Sequence, residues 1–365
     1  MRNIALLTST ILSLAASLPA SSAEFTINTG GDNGAYHSQF CPALGKRLSE
    51  AGIKSACKPS DGTTENMQRT ADGADQLGYG QLDVLALKAK EFGGASNFQR
   101  LRIDDVRECI FAVTKDKAIS SYGEVAVRSD ELRFVLPPER SGSAATFDYL
   151  KAIDPYGVGR AADVIHAANT DEAIKIALNS ENSVALFVQF PDPDNPRFKL
   201  IREKGGHIIP VIDRTILSQR IDGLHVYFPQ ETQVENPGWI SSGTKVVTAC
   251  TPLVVFTGQS NAITDEARRH EHERMAKTVQ GLRGDVLMPE EGIFATVLKR
   301  TRELTATGAE KFVAISEKAR EKAAPLFEKA REAARKAVQG GHATDKQSHP
   351  AEPPTGPADL KESVR

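Results

Sequence analysis

Two junctions between a predicted strand and a predicted helix contain the residues best suited to hold a ligand. One spans residues 29–34, Thr-Gly-Gly-Asp-Asn-Gly, and the other spans residues 141–146, Ser-Gly-Ser-Ala-Ala-Thr. Glycine lets the backbone turn tightly and approach a ligand, and the first turn of a helix presents unpaired N–H groups and the positive end of the helix dipole. Each junction is therefore predicted to form an anion pocket, although glycine-rich turns are also common as purely structural features.

Strand and helix patterns alternate around both junctions, which predicts an α/β fold with open, largely parallel sheets. Two longer strand patterns, 108–113 and 246–256, are expected to cross between two lobes. Ligands of open α/β sheets bind beyond the carboxyl ends of the strands. Since each lobe contributes one such pocket, a small carboxylate would be held between the two lobes. The shorter predicted strands are 25–29, 53–57, 76–79, 133–136, 164–167, 183–189 and 207–211.

Six short segments, taken in order, carry a resemblance to a known family. They are residues 29–36, 60–66, 80–83, 141–143, 195–211 and 249–253. Together they resemble the TAXI family of solute receptors of TRAP-type transporters. The resemblance implies a two-lobed type II periplasmic-binding fold. It also implies a ligand such as glutamate, glutamine or a related organic acid, and a membrane permease of TRAP type as the partner.

The resemblance also implies which residues would line a cleft between the lobes. Hydroxyl and N–H groups would hold a carboxylate, Gln81 would orient an amide or amine, and Tyr36 would pack on the carbon chain. Asp32 departs from the expected pattern, because it places a negative charge in the first pocket. Two roles are open for it: it pairs with a ligand ammonium, or it points to solvent and weakens carboxylate binding. The implied residues are Gly31, Asn33, Gly34, Tyr36, Thr63, Thr64 and Gln81 in lobe one, and Ser141, Gly142 and Ser143 in lobe two.

The N-terminal segment has the pattern of a secretory signal peptide. Arg2 precedes an apolar run over residues 4–18, and small residues end at Ala23. This arrangement predicts cleavage after residue 23 and a periplasmic location. An uncleaved anchor helix is the alternative, but the run is short and rich in Ser, Thr and Ala.

Four cysteines follow the predicted cleavage site: Cys41, Cys57, Cys109 and Cys250. An even number in an exported chain favours disulfides, and four cysteines allow three connectivities. Pairing of Cys41 with Cys57 is favoured, since both are expected at one edge of a parallel sheet, and Cys109 with Cys250 is its complement. Buried free thiols are the alternative. The sequence has no Cys/His spacing typical of zinc, so neither a metal site nor a cofactor is predicted.

The remaining patterns divide the chain into segments. Residues 24–112 and 248–300 are expected to form lobe one, and residues 113–247 lobe two. The chain then turns helical, with helices expected at 268–282 and 290–305. Residues 301–340 form a predicted helical extension whose long helix covers 309–339, kinks or restarts at Pro325, and packs through Phe312, Ile315, Leu326 and Phe327. The polar residues 341–365 are predicted to be disordered.

These features predict a solute-binding protein that captures a small amino acid or carboxylate. The net charge of −2 gives no electrostatic footprint for nucleic acid. One alternative is a periplasmic sensor of the same fold whose C-terminal helix docks a partner. An enzyme is disfavoured, because no nucleophile and base are found in the two junctions. A structural protein is a further alternative, if side chains such as Phe187 and Phe190 fill the cleft.

Overall fold

The computed structural model describes residues 24–32, 34–238, 242–283 and 302–341. Its first half is built on three parallel strands in the order β2-β1-β3, and a helix follows each strand. The helices pack through apolar residues one turn apart, as Leu44 and Leu48 do. The elements are β1 (Phe25–Asn28), α1 (Cys41–Glu50), β2 (Ser55–Lys58), α2 (Thr63–Asp72), β3 (Leu77–Gln81) and α3 (Leu82–Lys88), with a π-helical segment at Tyr36–Phe40.

Two long antiparallel strands, β4 (Phe98–Thr114) and β12 (Thr244–Gly258), run through both halves of the molecule. β12 pairs with β3 through residues 253–257, and with β11 (Phe228–Glu235) through residues 244–250. Because these strands belong to both halves, hydrogen bonds join the strands into one continuous sheet where two separate sheets were predicted.

The second half repeats the alternation of strand and helix. Its parallel strands have the order β7-β5-β6, and β7 pairs antiparallel with β4. The elements are α4 (Tyr122–Val127), β5 (Arg133–Leu136), α5 (Gly142–Ile153), β6 (Asp163–His166), α6 (Thr170–Ala177), β7 (Ser183–Gln189), α7 (Pro196–Glu203), β8 (His207–Ile209), α8 (Arg214–Leu217), β9 (Arg220–Ile221) and β10 (Leu224–His225).

The main path through the sheet has the strand order β2-β1-β3-β12-β4-β7-β5-β6, while β8 pairs with β4 and β11 with β12 off this path. Two groups of parallel strands therefore flank the two crossing strands, and each group has its own apolar core. The predicted fold class, α/β with two halves joined by two crossing strands, is confirmed.

Two disulfides connect neighbouring elements. Cys41 at the start of α1 bonds to Cys57 in β2, with 6.0 Å between their Cα atoms. Cys109 in β4 bonds to Cys250 in β12, where the two residues face each other in the strand register. Both favoured pairs are confirmed, and the alternative of free thiols is wrong. Two disulfides are typical of proteins from oxidising compartments.

The C-terminal region differs from the prediction in two ways. α9 (Glu266–Gly281) forms where a helix was expected, but β13 (Arg302–Glu303) is a strand paired with β11, where the second helix was predicted to end. Residues 284–301 lie outside the described residues. α10 (Ala306–Gly341) continues through Pro325 without restarting.

The packing face of α10 was only partly predicted. Ile315 and Leu326 are 60% and 67% exposed, whereas Ala309, Val313 and Ser316 are buried. The buried residues lie on one helical face at intervals of four and three, and α4 approaches this face so closely that a Cβ at Gly123 would lie 2.1 Å from the backbone oxygen of Ser316. Ile315 and Leu326 lie outside this face. The prediction that Ile315 and Leu326 pack inward is wrong.

Some predictions fall on residues outside the described ranges. These are the signal peptide at 1–23, the contribution of Asn33, and the tail beyond residue 341. No helix in the described ranges is both long and apolar enough to cross a membrane.

Candidate functional site

The first turns of α2 and α5 meet where the two halves touch. A Cβ built at Gly62, just before α2, would lie 3.3 Å from the backbone nitrogen of Gly142. Ser141 caps α5, because its Oγ accepts a hydrogen bond of 3.2 Å from the N–H of Ala144. α2 begins without a side-chain cap. Two positive helix ends therefore converge at one point between the halves.

Gln81, at the end of β3, connects this junction to the interior. It is 3% exposed, and its Oε1 accepts a hydrogen bond of 3.4 Å from Thr63 Oγ1. Its side chain also hydrogen bonds to Glu108. A Cβ at Gly142 would lie 2.0 Å from Gln81 Oε1, so only glycine fits at this position without displacing Gln81. The halves are thus in direct contact through Gln81 and Gly142.

Glu108 is a buried carboxylate on the crossing strand β4. Its Oε2 accepts a hydrogen bond of 2.5 Å from the hydroxyl of Tyr36, whose ring stacks on Tyr79 at 5.7 Å. Burial raises the pKa of Glu108 from 4.5 to about 7, although the hydrogen bonds from Tyr36 and Gln81 oppose the shift. Near neutral pH the protonated and ionised forms of Glu108 therefore coexist, and an opposite charge nearby would favour the ionised form.

Asp83 is a second buried carboxylate, and it bridges the two halves. Its Oδ2 accepts hydrogen bonds from Thr146 Oγ1 of α5 at 2.7 Å and from the Tyr227 hydroxyl at 2.8 Å. Burial raises the pKa of Asp83, and these hydrogen bonds oppose the shift. Within the described ranges, no lysine or arginine forms an ion pair with Asp83 or Glu108. Two carboxylates thus lie in the interior near enough to interact electrostatically, and the donors to both are neutral.

The structure gathers some of the predicted site residues and separates others. Tyr36, Thr63, Gln81, Ser141 and Gly142 belong to the cluster between the halves. Thr64 stands in the first turn of α2, and its buried Oγ1 has no hydrogen-bond partner among the described residues.

Three other positions are placed differently. Gly31 and Gly34 lie in an exposed turn closed by a hydrogen bond of 2.7 Å from the Gly34 N–H to the Gly31 oxygen, and Asp32 between them is exposed. Ser143 is buried, and its Oγ accepts a hydrogen bond of 2.9 Å from the Val188 N–H. Its hydroxyl thus helps to join α5 to β7.

The two phenylalanines that could fill the cleft have separate positions. Phe187 packs on Phe111, which also contacts Phe198, within the second half. Phe190 leaves β7 and packs edge-on against Tyr36, with 5.9 Å between ring centroids. Phe190 therefore belongs with Tyr36 to the apolar core of the first half, while Phe187 belongs to a core of the second half.

Sequence reasoning did not assign Glu108 or Tyr227 to the site, and it gave no role to Asp83 or Thr146, although both lie in segments that it singled out. One signal was present for Glu108, which directly precedes the apolar run 109–113 of a crossing strand. Another was present for Thr146, which lies one helical turn after Gly142 and shares its face. Tyr227 had no such signal, because it reaches Asp83 from a distant part of the chain.

No family model and no curated protein matches this sequence. Among solved structures, the fold is similar to the GluR0 ligand-binding core in complex with L-glutamate, at 10% identity over 77% of this chain and 99% of that chain, with a TM-score of 0.41. The periplasmic binding protein BugD is 11% identical over 84% and 97%, with a TM-score of 0.40. The VFT2 domain of Bordetella pertussis BvgS is 15% identical over 76% and 93%, with a TM-score of 0.39. Values this low transfer neither ligand nor role to this chain.

Proposed function

We propose that this protein is a solute-binding protein that encloses a small amino acid between its two halves. One observation carries the proposal. Two buried carboxylates, Asp83 and Glu108, adjoin two converging helix N-termini, and no described cation neutralises them. A ligand with an ammonium and a carboxylate group would match both parts of this site.

The ammonium group would bind at the carboxylates. Glu108 and Asp83 accept hydrogen bonds only from neutral donors, so a cation that displaces one of these donors gains a charge-assisted hydrogen bond. Binding an ammonium would also favour the ionised form of Glu108, because an opposite charge lowers the pKa of a carboxyl group. A purely anionic ligand would instead be repelled.

The carboxylate group of the ligand would bind at the helix ends. The uncapped start of α2 and the first turn of α5 offer backbone N–H groups and positive dipole ends. The hydroxyls of Thr63 and Thr64 lie at the same end of α2. Gln81 joins the two parts, since it contacts Gly142 and hydrogen bonds to Glu108.

The wider role rests on the sequence patterns. We propose that residues 1–23 direct export to the periplasm and that a TRAP-type permease receives the ligand, as the TAXI resemblance implies. Lobe one would comprise residues 24–112 and 248–300, and lobe two residues 113–247. Closure would then take place by bending of β4 and β12.

Thermal unfolding with matched ligand sets tests the proposal. Each set contains an amino acid, its deaminated acid and its decarboxylated amine, added to the chain from Glu24 onward. The amino acid is expected to raise the midpoint by a few degrees, since a ligand at 100 times its Kd adds about 2.7 kcal/mol. An equal shift with the deaminated acid, or no shift with any set, would contradict the proposal.

Substitution Gly142→Ala tests whether the halves close at this point. Its Cβ would push Gln81 away from Glu108 and Thr63, so affinity for the amino acid found in the thermal screen is expected to fall about tenfold. Gly281→Ala is the matched control, because a Cβ there meets nothing within 4 Å. Unchanged calorimetric affinity in Gly142→Ala would place the ligand elsewhere.

A further inference from the structure

α10 carries a straight stripe of lysines on its outer face. Lys311, Lys318, Lys322 and Lys329 are all exposed, and they are separated by seven, four and seven residues. At 3.6 residues per turn these intervals keep all four side chains on one line. The stripe is about 27 Å long at 1.5 Å per residue.

The opposite face fixes α10 to the second half. The Gly123 N–H of α4 donates a hydrogen bond of 2.9 Å to Ser316 Oγ, and Val313 is 3% exposed. Arg320 forms ion pairs with Asp154 at 2.9 Å and with Asp213 at 3.3 Å. The helix is therefore held by specific contacts, and its lysine stripe is directed away from the body.

The positive charge of the stripe is not compensated within the described residues. None of the four lysines forms an ion pair there. Of the glutamates of the same helix, Glu321 is exposed, while three others are engaged by arginines. Glu310 and Glu317 pair with Arg214 at 2.6 and 2.9 Å, and Glu328 pairs with Arg331 at 2.9 Å. The lysines of the stripe and the glutamates of α10 thus lie on different sides of the helix, and these lysines face outward without ion pairs in the described ranges.

Apolar groups accompany the lysines. Ile315 and Leu326 are 60% and 67% exposed, and both lie beside the stripe. They border a groove of about 620 Å³ between α10 and α4, whose lining also includes Ala319, Ala323 and Phe327 together with Lys318 and Lys322. Exposed aliphatic side chains beside lysines are typical of helices that lie in a membrane interface.

We propose that this face of α10 docks the protein on a bilayer surface that contains anionic phospholipids. The lysines would lie at the phosphate groups, and Ile315 and Leu326 would enter the headgroup boundary. A straight row of hydrated ammonium groups suits a surface of diffuse negative charge. A protein partner fits less well, because protein interfaces are depleted in lysine.

Vesicle flotation tests this proposal with the chain from Glu24 onward. Vesicles of phosphatidylcholine containing phosphatidylglycerol are expected to carry the protein, while vesicles of phosphatidylcholine alone are not. Replacing the four lysines by glutamine should weaken binding roughly a hundredfold or more. Ile315→Ser with Leu326→Ser should also weaken it, and added salt should release the protein.

The matched control replaces four exposed lysines on other faces, Lys54, Lys58, Lys175 and Lys204, by glutamine. It removes the same charge and is expected to leave vesicle binding unchanged. Equal loss in both quadruple variants, binding to uncharged vesicles, or no binding by the unmodified chain would overturn the proposal. Unchanged binding of the serine variant would overturn the role of the apolar groups. Circular dichroism of each variant verifies that it is folded.

Discussion

Replacing Cys109 and Cys250 by alanine is expected to lower the free energy of unfolding by about 5 kcal/mol in the chain-entropy account of disulfides. The reason is the length of the closed loop, since the two cysteines are 141 residues apart in sequence. The bond joins β4 to β12, the two strands that both halves share. The measurement is equilibrium unfolding in guanidinium under non-reducing conditions.

The second disulfide provides an internal control. Cys41 and Cys57 are 16 residues apart, so replacing both by alanine is expected to cost about 3 kcal/mol. Both double variants remove two sulfurs and one cross-link, and they differ mainly in loop length. A smaller loss for the Cys109–Cys250 pair than for the Cys41–Cys57 pair would contradict this explanation.

Glu108→Gln is expected to remove much of the dependence of stability on pH. Burial raises the pKa of Glu108 from 4.5 to about 7, so the folded protein holds this proton more tightly than the unfolded chain does. Its contribution is fully present below pH 4.5 and is lost as the pH rises through 7, a change of about 3 kcal/mol. The glutamine variant should therefore be the more stable protein above pH 7.

Urea unfolding at pH 5 and pH 8 measures this effect. Asp83 also has a raised pKa, so Glu108→Gln should retain a smaller loss of stability in the same direction. Glu139→Gln changes an exposed carboxylate and is expected to behave like the unmodified protein. The same pH dependence in Glu108→Gln as in the unmodified chain would show that Glu108 is not buried in this way.

The position of Glu108 on β4 links the Cys109–Cys250 disulfide to the proposed ligand site. Glu108 and Cys109 are adjacent residues where the strand passes from one half to the other. Gln81 contacts Gly142 and hydrogen bonds to Glu108, so we expect that any opening of the halves would expose this carboxylate to water. Exposure would lower its pKa, and closure would be favoured by protonation or by a bound cation.

Much of the fold could be predicted from local patterns. Short apolar runs alternate with amphipathic segments, and strands such as β5 and β7 were predicted at their observed bounds. Both junctions before helices were visible because glycine and serine mark tight turns and caps. β11 was not predicted, because its sequence Phe-Pro-Gln-Glu-Thr-Gln-Val-Glu is polar and contains proline.

The carboxylate cluster could not be predicted, for a different reason. Asp83 and Tyr227 are 144 residues apart in sequence, and Glu108 lies on the crossing strand β4, so only the fold brings them into one region. Nothing in the local sequence distinguishes a buried Asp83 from a solvated one at the start of a helix. The helix ends were therefore predicted as anion sites, while the neighbouring negative charges became evident only in the fold.

One calorimetric experiment can separate the contribution of the ammonium group of an amino acid ligand from that of its carboxylate group. The amino acid with the largest thermal shift is titrated beside its deaminated analogue, into the unmodified chain and into Glu108→Gln. The unmodified chain is predicted to prefer the amino acid by about tenfold or more, the value of a charged hydrogen bond, and the variant to lose this preference. Equal affinity for both compounds in the unmodified chain, or an undiminished preference in Glu108→Gln, would contradict the proposal that the buried carboxylates hold a ligand ammonium.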